Sequence, residues 1–314
     1  MRVAITGASG FIGRTLSKRF RELGWTVHGF GLRPASGLSG PVRVWDVAAG
    51  PLAGAPEVDA VVHTAALVHE TAPVPMARRV NVGGTQNVSA TFGDARLVHV
   101  STCSVYDPWH PQVMATEDEA PDPSSVRWTN AYGLTKSEAE RWLLRARPDA
   151  VILRPHAVYG AGDTTLMPRI RAAVRRGVMP LPGPGTQKHS ITWVENFVEA
   201  CRLACGPTAP GGVYNIADPE PIVLADAVRL LATPPGGPAP RVQPLPVRAL
   251  YPVAVAAELA GRARTRFTGT PFSPRVTRYS VEHLGRERTF DISRAQKELG
   301  YDPRPSQLEG SEDW

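Results

Sequence analysis

Residues 6–13 read Thr6-Gly7-Ala8-Ser9-Gly10-Phe11-Ile12-Gly13, between a short apolar run over 2–6 and a helix-periodic stretch over 11–23. A strand, a glycine-rich turn and a helix in that order constrain the chain more than any other feature. Gly7, Gly10 and Gly13 allow a tight turn, close approach of backbone to a pyrophosphate, and close contact of helix with strand. Phe11 and Ile12 open the helix, whose unpaired N–H groups suit an anion. Glycines alone are a weak signal. In this strand–turn–helix context they point to a dinucleotide site.

The first half of the chain keeps that rhythm. Residues 27–30, 42–45, 60–63, 97–100 and 151–153 read as short strands, and 76–92 and 131–147 as helices. Short apolar strands alternating with helices predict parallel pairing with both faces covered. The expected fold is α/β, a doubly wound parallel Rossmann sheet. After Pro155 the pattern changes: 166–176 and 193–203 read as helices and 213–216 as a late strand. Proline and glycine crowd 179–185 and 234–246, which predicts loops there. From Tyr251 onward the sequence offers helical pieces and little strand signal. Residues 1–160 plus 191–218 are therefore expected to form the dinucleotide-binding domain. Residues 161–190 plus 219–314 are expected to form a smaller, mostly helical substrate-binding domain.

Composition narrows the function classes. Of 314 residues 42% are hydrophobic and 20% charged, enough for a core and too few charges for a disordered chain. The net charge is +6, but arginine is scattered, and no zinc-finger pattern or aromatic RNA-binding strand is present. That points to an anionic small molecule and away from nucleic acid. No apolar run approaches the roughly 20 residues of a membrane span. The N-terminus lacks the pattern of a signal peptide. Three cysteines, an odd number, build no disulfide framework, and their spacing builds no metal site. A reducing cytoplasm is the expected compartment, with no metal.

The end of the second strand selects the cofactor. A carboxylate there suits the ribose 2′-hydroxyl of NAD, whereas a small residue with a nearby arginine suits a 2′-phosphate. The position falls on Gly31, and Arg33 follows two residues later. NADP is favoured and NAD remains possible. Further on, Tyr132-Gly133-Leu134-Thr135-Lys136 sets a phenol and an ammonium at i and i+4 on one helix face. A free tyrosine titrates near about 10, so acid–base work at neutral pH needs its phenolate stabilised by about 4 kcal/mol. A neighbouring lysine and an oxidised nicotinamide can supply this in a partly dry site.

Taken together, these residues resemble the extended short-chain dehydrogenase/reductase family, which includes nucleotide-sugar epimerases and 3β-hydroxysteroid dehydrogenases. The resemblance runs along nearly the whole chain. TGASGFIG at 6–13, HTAA at 63–66, NVGGTQNV at 81–88, STCSVYD at 101–107, YGLTK at 132–136 and LRPHAVYGAGD at 153–163 follow the family's order. It implies that Tyr132 is the acid/base and that Lys136 holds the nicotinamide ribose and lowers the tyrosine pKa. Thr102 would hydrogen-bond the substrate oxygen. Asp46 with Val47 would take the adenine edge, and Ala65 and Ala66 would lie against the adenosine side. Pro155, His156 and Val158 would close over the nicotinamide, and Asn81 would brace the active-site strands. Family members often dimerise through a helical face, so a homodimer is possible.

Departures from the family pattern narrow the substrate. Sugar dehydratases of the family place Asp-Glu after the active-site Thr, where this chain has Cys103 and Ser104. Cys103, Cys201 and Cys205 read as packing residues. Nucleotide-sugar members carry an Arg-Pro-Gly-Asp-like diphosphate clamp before the terminal helix. The stretch Leu284 to Phe290 lacks Pro-Gly, and His189 replaces the arginine common before SITWVEN. Arg286 and Arg288 remain clamp candidates. The resemblance thus implies an NAD(P)-dependent oxidoreductase interconverting a secondary alcohol and a ketone on a largely apolar small molecule. A nucleotide-sugar epimerase or reductase is the alternative. A non-enzymatic redox sensor comes third, since such proteins lose the Tyr/Lys pair that this chain keeps.

Overall fold

In a computed structural model, residues 1–34, 40–69, 71–234, 236–268, 274 and 276–308 are described. The glycine turn joins an interior strand of a seven-stranded parallel sheet to its first helix. In chain order the strands are β1 (Arg2–Thr6), β2 (Thr26–Gly31), β3 (Val42–Val44), β4 (Ala60–His63), β5 (Arg96–Val100), β6 (Val151–Pro155) and β7 (Gly212–Ile216). Across the sheet they run β7-β6-β5-β4-β1-β2-β3. The order reverses between β1 and β4, the place where open α/β sheets bind ligands beyond their C-terminal strand ends. The doubly wound Rossmann sheet expected from the sequence is present.

Both faces are covered, as period-two burial along β1 shows. Val3 and Ile5 pack with Leu16, Phe20, Phe197 and Tyr301 on one side. Ala4 points the other way, into a cluster with Phe30, Trp45, Val88, Phe92 and Leu143. Each fully buried aliphatic side chain contributes about 1.5–3 kcal/mol. Hence these strands tolerate little polarity except at their C-terminal ends, where Thr6, His63 and His99 lie.

The remainder builds onto the C-terminal edge of the sheet. A four-stranded sheet runs Ile222–Val223, Lys188–His189, Arg288–Phe290, Gln112–Ala115. Helices Leu166–Ala173, Leu224–Ala232, Val247–Thr268 and Arg278–Leu284 accompany it. No helix of the described residues is long and apolar enough to cross a membrane.

Three expectations need correction. The stretches 179–185 and 234–246 are not simply loops: Val178–Pro182 pairs in parallel with Arg241–Leu245. Residue 235 lies outside the described residues. In a two-stranded pair each strand keeps a free edge, so Pro180, Pro182 and Pro244 fit without a missing donor breaking the ladder. The C-terminal part also carries a strand, Arg288–Phe290, that pairs with residues far away in sequence. Lastly, the helix expected over 76–92 begins at Val74 and is interrupted by a π turn, Arg79–Gly83. That wider turn holds Asn81, which is buried.

Candidate active site

The glycine turn has the shape its residues imply. Gly7 has φ of 69°, and a Cβ there would lie 2.7 Å from Thr64 Oγ1 and 2.8 Å from the Ala65 nitrogen. A Cβ on Gly13 would lie 2.2 Å from the Gly7 carbonyl oxygen and 2.7 Å from Ala8 Cα, both backbone atoms that cannot move aside. Gly10 caps the helix Phe11–Glu22, which has no side-chain cap and no acidic residue in its first turn. Its N-terminal N–H groups and partial positive charge therefore suit an anion. Gly31 ends β2 and is buried, and a Cβ there would lie 3.0 Å from Ser9 Oγ. Arg33 is exposed two residues beyond. A dinucleotide fits these residues.

Asp46 caps the short 3₁₀ turn Val47–Ala49, accepting from the Ala48 N–H at 2.9 Å, and is itself exposed. Val47 is buried; its side chain packs where a Cβ on Gly84 would lie, and its carbonyl accepts from Asn87 Nδ2 at 2.7 Å. Ala65 and Ala66 are half-buried beyond the end of β4, with the Ala65 N–H 3.3 Å from Thr6 Oγ1. Asn81 accepts from the Leu67 N–H at 2.7 Å and donates to Thr135 Oγ1 at 2.9 Å. It ties the post-β4 segment to the helix Ala131–Ala146.

That helix carries Tyr132 and Lys136. Asn130 caps it, accepting from the Gly133 N–H at 2.9 Å. Gly133 lets it rest on the β5 extension, since a Cβ there would lie 2.6 Å from the Ser104 carbonyl oxygen. Thr102 stands near enough to Tyr132 to favour its phenolate. Thr102 Oγ1 in turn lies 3.3 Å from Ser104 Oγ, and Ser104 Oγ lies 3.1 Å from the Tyr279 hydroxyl. One polar string thus joins Thr102, Ser104 and Tyr279 beside Tyr132. Burial pushes the Tyr132 pKa well up, Tyr279 adds to this, and Thr102 opposes it.

Lys136 is not the partner of the phenol in the protein alone. Its ammonium donates to the Val100 carbonyl at 2.7 Å and to His99 Nε2 at 3.0 Å, and it is 1% exposed. Burial pulls its pKa down to about 7, with Glu140 opposing. The expected lowering of the Tyr132 pKa by Lys136 is therefore not found. Beneath Lys136, burial keeps His99 and His63 neutral. His63 Nδ1 lies 2.7 Å from Thr6 Oγ1.

Helix and sheet are locked by Arg154 on β6. Its guanidinium meets Glu140 at 2.7 Å in a pair with both side chains about 5% exposed or less. It also donates to Tyr106 Oη at 3.2 Å and to the Glu117 carbonyl at 2.9 Å. Pro155 ends β6, and Ala157 takes a left-handed φ of 45° before Val158. His156 is buried, its Nε2 3.0 Å from His283 Nε2.

Beside the polar string lies a small cavity lined by Cys103, Ser104, Trp128, Asn130, Tyr279 and His283, among others. Tyr279 and His283 were not anticipated; their only signal is an i, i+4 pair on the short helix Arg278–Leu284. Both clamp candidates are engaged internally. Arg286 pairs with Glu282 at 2.6 Å. The terminal nitrogens of buried Arg288 donate to the Pro108, His110 and Glu282 carbonyls at 2.8, 2.8 and 3.1 Å, and to Gln112 Oε1. Cys103, Cys201 and Cys205 are buried thiols with raised pKa values, the packing role expected of them.

Comparison with known proteins gives consistent matches. Residues 3–217 match the model of the NAD dependent epimerase/dehydratase family. The chain is 31% identical to a 2-alkyl-3-oxoalkanoate reductase of Stenotrophomonas maltophilia, over 99% of this chain and 97% of that protein. It is 29% identical to a 3 beta-hydroxysteroid dehydrogenase/Delta 5→4-isomerase of Mycobacterium tuberculosis, over 96% of this chain and 86% of that one. Among solved structures, MoeE5 in complex with UDP-glucuronic acid and NAD is similar at a TM-score of 0.70 and 27% identity, covering 99% of this chain and 96% of that chain.

Proposed function

The chain belongs to the NAD dependent epimerase/dehydratase family, and on that premise we propose that it is an NAD(P)-dependent ketoreductase. It interconverts a secondary alcohol and a ketone on a largely apolar small molecule. The observation that carries the substrate class is the internal engagement of Arg288. A diphosphate is held by free arginine forks; the Arg288 fork is spent on backbone carbonyls, and Arg286 has its Nε on Glu282. The named reductase and dehydrogenase relatives support the same reading. NAD-bound neighbours of the fold keep a nucleotide-sugar epimerase as the alternative.

Gly7, Gly10, Phe11, Ile12 and Gly13 would hold the pyrophosphate, with Asp46, Val47, Ala65 and Ala66 along the adenosine. When bound, the nicotinamide gives or takes the hydride. Tyr132 donates its proton to the ketone oxygen, or withdraws it from the alcohol, while Thr102 Oγ1 hydrogen-bonds the same oxygen. The Ser104–Tyr279 end of the string lines the small cavity and would mark the substrate side of the site. Pro155, His156 and Val158 form the wall next to the nicotinamide. Residues 161–190 and 219–314 supply the substrate side. Three buried, unpaired cysteines suit a reducing cytoplasm. A panel of apolar ketones, β-oxo acids and UDP-sugars, followed by nicotinamide absorbance and by product analysis, tests the reading. Turnover confined to the UDP-sugars would overturn it.

NADP is the preferred cofactor in this reading, because Gly31 leaves room and Arg33 is exposed beside it. A charge-assisted contact is worth about 1.5–3 kcal/mol, a factor of roughly 10–150 in affinity. Arg33→Ala should weaken NADP by such a factor and barely alter NAD in calorimetric titration. Equal loss of both cofactors, or a wild type that prefers NAD, contradicts it.

Lys136 gives a pH-dependent expectation. With a pKa of about 7 the lysine is mostly neutral at pH 8 in the free protein. Holding ribose hydroxyls as a donor favours the ammonium, so binding of the reduced cofactor takes up a proton. Affinity should fall as pH rises above about 7. Calorimetry at pH 8 in buffers of different ionisation enthalpy should show uptake approaching one proton, absent in Lys136→Met. No uptake in the wild type means that Lys136 keeps its charge throughout.

A further inference from the structure

We propose that His156, His189 and His283 form a three-imidazole site for one divalent transition-metal ion of the zinc class. Among the described residues they are the cluster whose ligand nitrogens all lie within 4.8 Å of one another. The cysteine spacing gives no hint of it, because the three histidines come from separate segments: the end of β6, the strand Lys188–His189 and the helix Arg278–Leu284.

The ring geometry is that of a tripod. A tetrahedral ion bound at about 2.0–2.1 Å by three imidazoles sets their ring centres about 5 Å apart. The observed centroid separations are 5.0 Å for His156–His283, 5.7 Å for His156–His189 and 5.9 Å for His189–His283. The last pair is edge-on at 85°, so the rings converge without stacking. Tetrahedral ligands at that bond length lie about 3.4 Å apart, so closing the widest nitrogen pair needs a contraction of up to about 1.4 Å.

The second ring nitrogens are already occupied as a metal site requires. His156 Nδ1 faces the Ser190 carbonyl, and His189 Nε2 lies 2.9 Å from the Arg286 carbonyl. A carbonyl accepts only, so both nitrogens carry hydrogen, and His156 Nε2 and His189 Nδ1 keep their lone pairs. Backbone carbonyls orient metal-binding histidines in this way. His283 Nε2, 3.0 Å from His156 Nε2, must then be the donor between them. Metal binding needs only a tautomer change at His283 and no net proton.

Arg288 stands close enough to disfavour charge on all three rings. Its guanidinium is nevertheless surrounded by the carbonyls described above, and the buried Glu282 carboxylate acts on it in the opposite sense. His283 also lines the Tyr279 cavity, so the fourth coordination position opens toward it, for water or a substrate oxygen. Softer thiolate ligands are absent from the cluster, which suits zinc, cobalt or nickel over copper(I).

The test uses the full chain without a polyhistidine tag, stripped with chelator and titrated with Co²⁺ and then Zn²⁺. Expected are one ion per chain, a tetrahedral or five-coordinate cobalt absorption band displaced by zinc, and affinity at least roughly a hundredfold weaker in His189→Gln and His283→Gln. His110→Gln, an exposed control, should bind as the wild type does. Hyperfine-shifted ring N–H signals from His156 and His189 in the cobalt-loaded wild type provide a reading that needs no variant. Binding of less than about 0.1 equivalent overturns the proposal. So does cobalt binding without shifted ring N–H signals, or equal uptake in folded His189→Gln and His283→Gln.

Discussion

Tyr132→Phe should lower turnover by about a thousandfold while leaving the Kd for the nicotinamide cofactor within about twofold of wild type. The substitution removes one hydroxyl and nothing else, and a positioned general acid or base contributes roughly 10²–10⁴ in rate. The ring remains packed in the half-buried helix face, so the fold and the glycine turn are untouched. Tyr132 also stands beside Thr102, which is linked through Ser104 to Tyr279. Steady-state kinetics with the best ketone of the panel, together with a calorimetric cofactor titration, decide the matter. A variant retaining most of the wild-type rate moves the proton transfer to another residue, with the Tyr279 hydroxyl the first to examine.

Arg154→Leu should cost about 3–5 kcal/mol of stability and lower Tm by roughly 5–10 °C, because it leaves the Glu140 carboxylate buried without its cation. Burial alone would lower the Arg154 pKa, yet Glu140 and Tyr106 carry it above its ordinary value, so the guanidinium stays charged. The pair is valuable as a unit. Replacing both residues, Arg154→Leu with Glu140→Leu, should recover much of the loss. Since the pair fastens the Tyr132 helix to β6, the single variant should also lose turnover in proportion to its misplaced helix. Differential scanning calorimetry of both variants checks this. A single variant as stable as wild type would show that water or a neighbour compensates Glu140.

What the sequence revealed and what it concealed divide along locality. The turn at Gly7 to Gly13 was legible because strand, turn and helix are adjacent in sequence and each glycine answers a local steric demand. The seven-stranded sheet was legible for the same reason: alternating apolar runs and helices admit few right-handed arrangements. The second sheet was not, since Lys188–His189 and Arg288–Phe290 are too short to carry a pattern and become strands only when paired with distant partners. The prolines at 180, 182 and 244 argued locally for loops, and a two-stranded pair with free edges accommodates them. At the site, the i, i+4 spacing of Tyr132 and Lys136 is informative only together with the glycine turn and the family resemblance. The engagement of Lys136 with His99 and Val100 does not follow from spacing, because it depends on the register of β5 against the helix. The same holds for Arg288: only the fold shows that its fork is spent on backbone carbonyls.

The central claim is hydride exchange between a nicotinamide and an apolar ketone, with Tyr132 handling the proton. The most direct test supplies reduced cofactor deuterated at nicotinamide C4 together with a 2-alkyl-3-oxo acid or a steroid ketone. The alcohol formed is then examined by mass spectrometry and NMR. The account predicts one deuterium on the new carbinol carbon, from a single face of the nicotinamide, formed about a thousandfold more slowly by Tyr132→Phe. Unlabelled alcohol, or no consumption of reduced cofactor while a UDP-sugar is epimerised by the same preparation, would contradict it.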